Sequence, residues 1–326
     1  MNIFKAGLPK AFALIALSSL LSGSAFAADK IRISISSLDV AFLTGGVALK
    51  RGFFKEEGLD VELIRMNANV SITALATGDI DYTMIFGSVV RAAVRGLPMK
   101  VVASFLDSST HTLIARAEYK SVKDLRGKTL GVSSFGATAD VAARMMFQKS
   151  GIDPEKEMKI IALGSDRARF SALKEGIVDV AVISPPADVE GKKMGFNVLA
   201  RAYEMFSFPF VGLGANTKKI KERPDEIKRT IKALIKANRY ITANRDGAIQ
   251  VLAEWGRTER EIAAASYDGT FKVFNADGSI PESGLKLVID QSRQALKMDQ
   301  PVSPDQVADL GPLREGQREL GIKGRL

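Results

Sequence analysis

One twelve-residue sequence pattern, which we call the repeated phrase, occurs twice, once in each half of the chain. Residues 74–85 read ALATGDIDYTMI and residues 172–183 read ALKEGIVDVAVI, so both fit A-L-x-x-G-x-x-D-x-x-x-I. Ala and Leu favour a helix, glycine suits the left-handed residue that ends one, and the apolar residues after the Asp are typical of a buried parallel strand. Upstream, residues 35–38 and 132–135 are each a strand that runs into a polar loop. The repeat predicts two similar α/β lobes with a cleft between them, rather than one doubly wound sheet.

The order of predicted strands and helices also divides the chain into two lobes. Strands and helices alternate from residue 30 onward, and we interpret the short extended segment at 112–116 as the crossing into the second lobe. Residues 211–216 return to the first lobe, a mostly helical region follows, and the tail after Pro301 is predicted to be rich in loops. The predicted domains are residues 1–27 as a signal peptide, residues 28–110 together with 207–326 as lobe 1, and residues 111–206 as lobe 2.

The first residues have the pattern of an export signal. Lys5 and Lys10 give a basic start, residues 11–21 are an apolar run, and residues 25–27 (Ala-Phe-Ala) form a small-x-small cleavage site. The apolar run is short for a membrane span, and an uncleaved anchor is the alternative. We predict cleavage after Ala27 and a periplasmic protein.

Composition narrows the possible partners and chemistries. The chain has no cysteine, which excludes disulfides, thiolate nucleophiles and a cysteine-linked lipid anchor. Cleavage would remove Lys5 and Lys10 and lower the formal charge from +9 to about +7. The positive charge is scattered, so it can attract an anionic ligand, and we expect no nucleic-acid partner. We expect a monomer.

The inventory of catalytic residues is poor. His111 is the only histidine, no Ser-His-Asp set can be assembled around it, and a lone histidine is more often structural. No metal-ligand spacing, P-loop or G-x-G-x-x-G motif occurs. The sequence therefore predicts a binding protein rather than an enzyme, without cofactor or metal.

Small and hydroxyl-bearing residues follow several predicted strands, where ligands bind in open α/β sheets. Several of these loops precede a helix, whose unpaired N–H groups suit a carboxylate, sulfonate or phosphate, although ordinary helix capping uses the same residues. Asp39 can either meet a ligand ammonium group or cap the helix after it, and the phenylalanines can be apolar walls or ordinary core. The candidate ligand-binding residues are Ser36, Ser37, Leu38, Asp39, Phe42, Asn67, Phe86, Gly87, Ser88, His111, Ser134, Phe135, Gly136, Ala137, Thr138, Asp166, Ser184, Pro185 and Phe208. Arg167 and Arg169 start a predicted helix, where they can either bind an anion or lie on a solvated face, and we expect the solvated face.

Four phrases in order carry a resemblance to a known family. They are residues 52–63 (GFFKEEGLDVEL), 74–81, 121–132 (SVKDLRGKTLGV) and 172–179. The chain resembles the periplasmic substrate-binding proteins of ABC importers in the nitrate/sulfonate/taurine group, which also includes thiamine-precursor binders. One departure is Gly45-Gly46, where helices of the family more often carry bulkier residues.

The resemblance implies a two-lobe periplasmic-binding-protein fold of type II, with a mostly parallel sheet in each lobe and the ligand in the cleft. It also implies delivery of the bound ligand to a membrane permease driven by an ATPase. We predict that the ligand is a small organic anion, such as a sulfonate or carboxylate. Family ligand contacts fall after the first strand, here residues 36–42, near residues 86–88, and in the loop at 133–138. An enzyme on the same fold, related to pyrimidine-precursor synthesis, and a sensory ectodomain are the alternatives.

Overall fold

Residues 28–323 are described by a computed structural model, in which they form ten β-strands and sixteen α-helices. The strands are β1 (Asp29–Ile35), β2 (Leu59–Arg65), β3 (Tyr82–Thr83), β4 (Met99–Ser104), β5 (Thr112–Ala115), β6 (Thr129–Val132), β7 (Lys159–Ala162), β8 (Val180–Ile183), β9 (Asn197–Arg201) and β10 (Gly212–Asn216). The helices are α1 (Leu43–Lys50), α2 (Phe53–Glu56), α3 (Ala68–Thr77), α4 (Phe86–Val94), α5 (Thr138–Lys149), α6 (Pro154–Glu157), α7 (Asp166–Lys174), α8 (Ala187–Lys193), α9 (Ala202–Met205), α10 (Thr217–Glu222), α11 (Pro224–Ala243), α12 (Arg245–Gly256), α13 (Arg260–Thr270), α14 (Glu282–Leu296), α15 (Pro304–Val307) and α16 (Gly311–Glu319). Short 3₁₀ turns lie at Val40–Phe42, Val122–Leu125 and Phe271–Val273. The predicted signal peptide falls outside the described residues.

The strands form two separate five-stranded sheets, which confirms the predicted two-lobe α/β architecture. The first sheet has the order β2-β1-β3-β10-β4 and the second has the order β7-β6-β8-β5-β9. We call the unit built on the first sheet lobe 1 and the unit built on the second sheet lobe 2. The predicted residue bounds of the two domains stay predictions.

Each sheet is mostly parallel and holds one reversed strand in the same place. Strand β10 runs antiparallel to β3 and β4, and β5 runs antiparallel to β8 and β9. These two strands are the first ones that the chain forms after it changes sheet. The segment predicted as a bare crossing at 112–116 is therefore the fourth strand of the second sheet. Because the parallel strands point the same way, the loops after β1, β3, β6 and β8 are free to line a cleft.

The repeated phrase has the same physical role in both lobes. Gly78 and Gly176 have φ of +83° and +72°, the left-handed conformation that ends α3 and precedes the turn after α7. The Asp81 N–H donates to the Arg32 carbonyl at 2.9 Å, while the Asp81 carboxylate accepts the Arg32 N–H at 2.8 Å. Asp179 makes the same pair of hydrogen bonds with Thr129, at 3.0 and 2.9 Å. Each Asp therefore ties its turn to the first parallel strand of its own sheet.

The Gly45-Gly46 pair is explained by packing. A Cβ on Gly46 would lie 2.9 Å from the Trp255 ring, and a Cβ on Gly45 would lie 3.2 Å from the Met84 sulfur. Helix α1 therefore needs small residues on the sides that face α12 and the first sheet. The glycines serve the core of lobe 1.

The helical region completes lobe 1. The apolar face of α11 packs on α1 and α16, and one continuous core joins this region to the first sheet. The predicted loop-rich tail is wrong in part, because α15 and α16 both lie after Pro301. Both helices have a proline in the first turn, where proline is compatible with a helix start. Within residues 28–323, no helix is both long and apolar enough to span a bilayer.

Candidate functional site

The loops at the carboxyl ends of strands from both sheets meet in the cleft between the lobes. The Val40 N–H, just after β1, donates to the Pro185 carbonyl, just after β8, at 3.4 Å. Farther out, Lys193 on α8 and Glu261 on α13 form an ion pair at 2.8 Å. The lobes are thus in direct contact, and the structure is a closed form.

Asp39 is a buried carboxyl on the lobe 1 side of the cleft. Its Oδ2 accepts the Ser37 hydroxyl at 2.6 Å and its Oδ1 accepts the Ala41 N–H at 2.9 Å. No cation bonds to Asp39 within residues 28–323, and the carboxyl of Asp166 from lobe 2 lies within hydrogen-bonding reach. Burial, reinforced by the charge of Asp166, raises the pKa of Asp39 to about 7.

Asp166 differs from Asp39 because it has its own counter-ion. The guanidinium of Arg169 pairs with Asp166 Oδ1, and it also donates to the Gly164 carbonyl and, at 2.6 Å, to the Val182 carbonyl. The Ser184 N–H donates to the same carboxylate oxygen at 3.2 Å. The prediction of a solvated face is wrong for Arg169, whose side chain is 2% exposed. A buried guanidinium needs acceptors on several sides, and the ends of β7 and β8 provide them.

His111 is buried beside this acidic pair. Ser109 Oγ lies 2.8 Å from His111 Nδ1, and the ring packs edge-on against Phe210 at 5.0 Å between centroids. Burial lowers the pKa of His111 to about 4, so the ring is neutral at physiological pH. Thr110 and Ser184 are 3.2 Å apart between hydroxyl oxygens. These groups give the cleft a set of neutral hydrogen-bonding partners around one carboxylate.

An aromatic wall follows the second crossing of the chain between the lobes. Phe206 and Phe208 stack at 5.6 Å, and Phe208 packs edge-on against Phe210 at 6.4 Å. Phe208 also borders a cavity of about 30 Å³ between α4, α14 and the start of α5. In this closed form, that volume has room for one or two water molecules.

Residues from both lobes line this cavity. Gly87 of α4 faces Thr138 at the start of α5. A Cβ on Gly87 would lie 3.6 Å from the Thr138 methyl group. Arg91, one turn farther along α4, lies against Gly136 so closely that a Cβ there would collide with the guanidinium. Ser292 of α14 closes another side. The sequence reasoning missed Arg91, although Gly87 and Arg91 are four residues apart and share one helix face.

The predicted residues fall into four groups. Ser37, Asp39, His111, Asp166, Ser184 and Pro185 meet around the acidic pair, and Gly87, Gly136, Thr138 and Phe208 line the cavity. Leu38, Ser88, Ser134 and Ala137 lie in the same loops, and the buried Ser88 hydroxyl has no hydrogen-bond partner within the described residues. The remaining predicted residues lie elsewhere: Ser36, Asn67 and Phe135 are exposed, whereas Phe42 and Phe86 are in the core of lobe 1.

Comparison with known proteins decides the family. A family model described as NMT1/THI5 like matches residues 42–248, which is more than half of the chain. The chain belongs to the NMT1/THI5-like family. The resemblance inferred from the four phrases is thus confirmed.

Relatives of this NMT1/THI5-like protein have the names of binding proteins. A binding protein of Brucella abortus is 24% identical over 259 residues, which cover 77% of this chain and 80% of the relative. The alkanesulfonate-binding protein SsuA from Xanthomonas axonopodis, solved with bound MOPS, superposes with a TM-score of 0.74 at 16% identity and covers 86% of this chain and 98% of its own. The nitrate-binding protein NrtA from Synechocystis gives a TM-score of 0.73 at 14% identity, covering 90% and 89%. These structures share the periplasmic-binding-protein fold with this chain.

Proposed function

We propose that this protein is the periplasmic solute-binding component of an ABC importer. It captures a small organic anion, a carboxylate or a sulfonate, between its lobes and delivers it to a membrane permease without chemical change. The export signal at residues 1–27 and the names of its relatives support this assignment.

The observation that carries the proposal is the meeting of loops from both sheets in one cleft. The Val40–Pro185 hydrogen bond and the Asp39–Asp166 contact each join one lobe to the other. A ligand that contacts both sets of loops is bound better by the closed form than by an open one, so binding shifts the population toward closure. A closed and an open form are what a permease needs to distinguish loaded from empty protein.

Calorimetry with matched pairs of ligands tests the proposal. Benzoate, benzenesulfonate, hexanoate and hexanesulfonate are titrated beside their neutral amides and sulfonamides, which have nearly the same shape without the charge. We expect at least one acid to bind and the neutral amide or sulfonamide of that acid to give no binding heat. Binding of only neutral or cationic compounds would contradict the anion assignment, and formation of a product from the bound compound would contradict the transport role.

Mass spectrometry under native conditions adds a second test. The protein purified from its periplasm is measured before and after denaturation, and the mass difference gives any molecule that copurifies. We expect an acidic compound of low mass. A copurifying cation or neutral metabolite would argue against this ligand class.

A further inference from the structure

Arg91 has a partly buried guanidinium without a hydrogen-bond or ion-pair partner among the described residues. Within residues 28–323 it makes no hydrogen bond and no ion pair, although the guanidinium can donate five hydrogen bonds. Burial lowers the pKa of Arg91, while the nearby charge of Asp140 acts in the opposite direction. An arginine that loses water on folding without gaining an acceptor is costly, which is the usual mark of a group kept for a ligand.

Asp140, whose charge is near Arg91, makes its hydrogen bonds with other groups of the described chain. One oxygen of Asp140 accepts the Gly136 N–H at 2.6 Å, and the other accepts Arg144 Nε at 2.7 Å. Arg144 in turn reaches Glu155. The acidic group nearest to Arg91 therefore fixes the loop at the start of α5.

Both lobes shape the space around Arg91. The side chain comes from α4 in lobe 1, and Gly136, Thr138 and their loop come from lobe 2. Gly136 has φ of +69°, and its missing side chain is what allows the guanidinium to lie against the backbone. The Thr138 hydroxyl borders the same cavity and can donate to an oxyanion, whereas the Ser292 hydroxyl on the opposite side already donates to the Val288 carbonyl at 2.7 Å.

We propose that Arg91 binds the acidic group of the ligand, with the Thr138 hydroxyl as a further donor. This assignment rests on the proposed function and names the chemistry of its site: a carboxylate or sulfonate takes the guanidinium as a two-pronged partner. Because Arg91 belongs to lobe 1 and Thr138 to lobe 2, an anion held between them stabilises the closed form.

The test compares Arg91→Gln with Arg95→Gln. Arg95 is an exposed arginine at the end of the same helix, so its variant removes the same charge from α4 without touching the cavity. The affinity of the benzoate and sulfonate panel is measured by calorimetry. We expect Arg91→Gln to weaken binding by roughly 10- to 100-fold and Arg95→Gln to change it by less than about threefold. The affinity of Arg91→Lys should lie between those of the other two variants, because lysine keeps the charge and loses the planar two-pronged donor geometry of the guanidinium.

A second pair of variants tests the cavity without removing the charge. Gly136→Ala strains the backbone and pushes on the guanidinium, whereas Gly127→Ala strains a residue with φ of +73° that has open space around it. We expect only Gly136→Ala to weaken anion binding, with similar losses of stability for both variants. Thermal unfolding monitors the folded state of all five variants.

The outcomes separate this assignment from the broader function. If wild type binds an acid and folded Arg91→Gln binds it equally well, the Arg91 assignment is overturned and the transport role stands. Wild-type protein that binds none of the acids overturns both. Selective loss in Arg91→Gln and Gly136→Ala supports both.

Discussion

Lobe 1 and lobe 2 use the same repeated phrase but place different chemistry on it. Asn67 and Ser165 both cap their helices, accepting N–H groups at 3.0 and 3.2 Å. One residue after each cap, lobe 1 has Ala68 and lobe 2 has Asp166. One turn later, lobe 1 has Ser71, whose buried hydroxyl has no partner within the described residues, and lobe 2 has Arg169. The helix start and end are thus shared scaffold, whereas the first turn is free to carry charge.

The cleft is asymmetric as a consequence. Asp39 of lobe 1 has two neutral donors, whereas Asp166 of lobe 2 has a buried guanidinium. Two facing carboxyls in a closed cleft cannot both be ionised at low cost, and of the two only Asp39 lacks a counter-ion within the described residues. We infer that the two carboxyls share one proton in the closed form and that Asp39 carries it.

The largest expected effect comes from Arg169→Met. Removing the guanidinium leaves the partly buried Asp166 without its counter-ion and two carbonyl oxygens without their donor, which should lower the free energy of unfolding by about 3 kcal/mol. Ser71→Ala at the equivalent place in lobe 1 is the control and should leave stability unchanged or slightly raised, because its hydroxyl has no partner to lose. Urea unfolding measures both. Equal effects of the two variants would refute the difference between the lobes.

The pH dependence of stability should distinguish the two carboxyls. The pKa of Asp39 in the folded protein, about 7, lies above that of an unfolded aspartate, so its contribution to stability is complete below pH ~4 and is lost as pH rises toward 7. Asp39→Asn mimics the protonated acid, and the variant should match wild type near pH 4 and exceed it at pH 8.

Asp166→Asn should have the opposite sign. It leaves Arg169 buried without its carboxylate, so this variant should be less stable than wild type at pH 8. Unfolding in urea at pH 4, 6 and 8 gives the curves. If the free energies of unfolding of both variants differ from wild type by the same amount at every pH, the assignment of the proton to Asp39 is contradicted.

The repeated Asp should have equal importance in the two lobes. Asp81→Ala and Asp179→Ala each remove a carboxylate that accepts a strand N–H, and each should cost about 1–3 kcal/mol of stability. Asp79→Ala is the control, since the exposed Asp79 carboxylate accepts only the nearby Thr77 hydroxyl. A loss confined to one lobe would show that the repeat is not a shared scaffold.

The smallest effect is expected at the helix caps. Asn67→Ala and Ser165→Ala each remove one side-chain acceptor from a helix start, which costs about 1 kcal/mol. Because Ser165 is next to the Asp166–Arg169 pair, a clearly larger loss in Ser165→Ala would indicate that the cap also positions that ion pair. Guanidinium unfolding of the two variants, measured side by side, resolves this.

The sequence predicted the scaffold well because the scaffold depends on local rules. The left-handed glycine, the turn Asp and the apolar strand after it can be recognised from adjacent residues, and the structure has them in both lobes. The loops at 36–39, 87 and 136–138 were predicted as cleft residues from their place at strand ends, and the structure brings several of them together.

The sequence could not predict which charges would be paired. Arg169 looked like a surface residue because nothing near it in the chain reveals the carbonyls of Gly164 and Val182 that receive it. Arg91 was overlooked because its importance depends on Gly136 approaching from the other lobe. Such contacts are set by tertiary packing, and only the i, i+4 spacing of Gly87 and Arg91 hinted at one of them.

The distance between the lobes tests the central claim most directly. The chain has no cysteine, so Val70→Cys and Ala168→Cys, at equivalent exposed places in the two repeats, can take a pair of spin labels without background. The distance distribution is recorded for the unliganded protein, with the tightest-binding acid, and with its neutral amide. We predict that the acid shifts the distribution to one short, narrow distance and that the amide does not. An acid that binds by calorimetry and leaves the distribution unchanged would contradict capture by closure of the cleft.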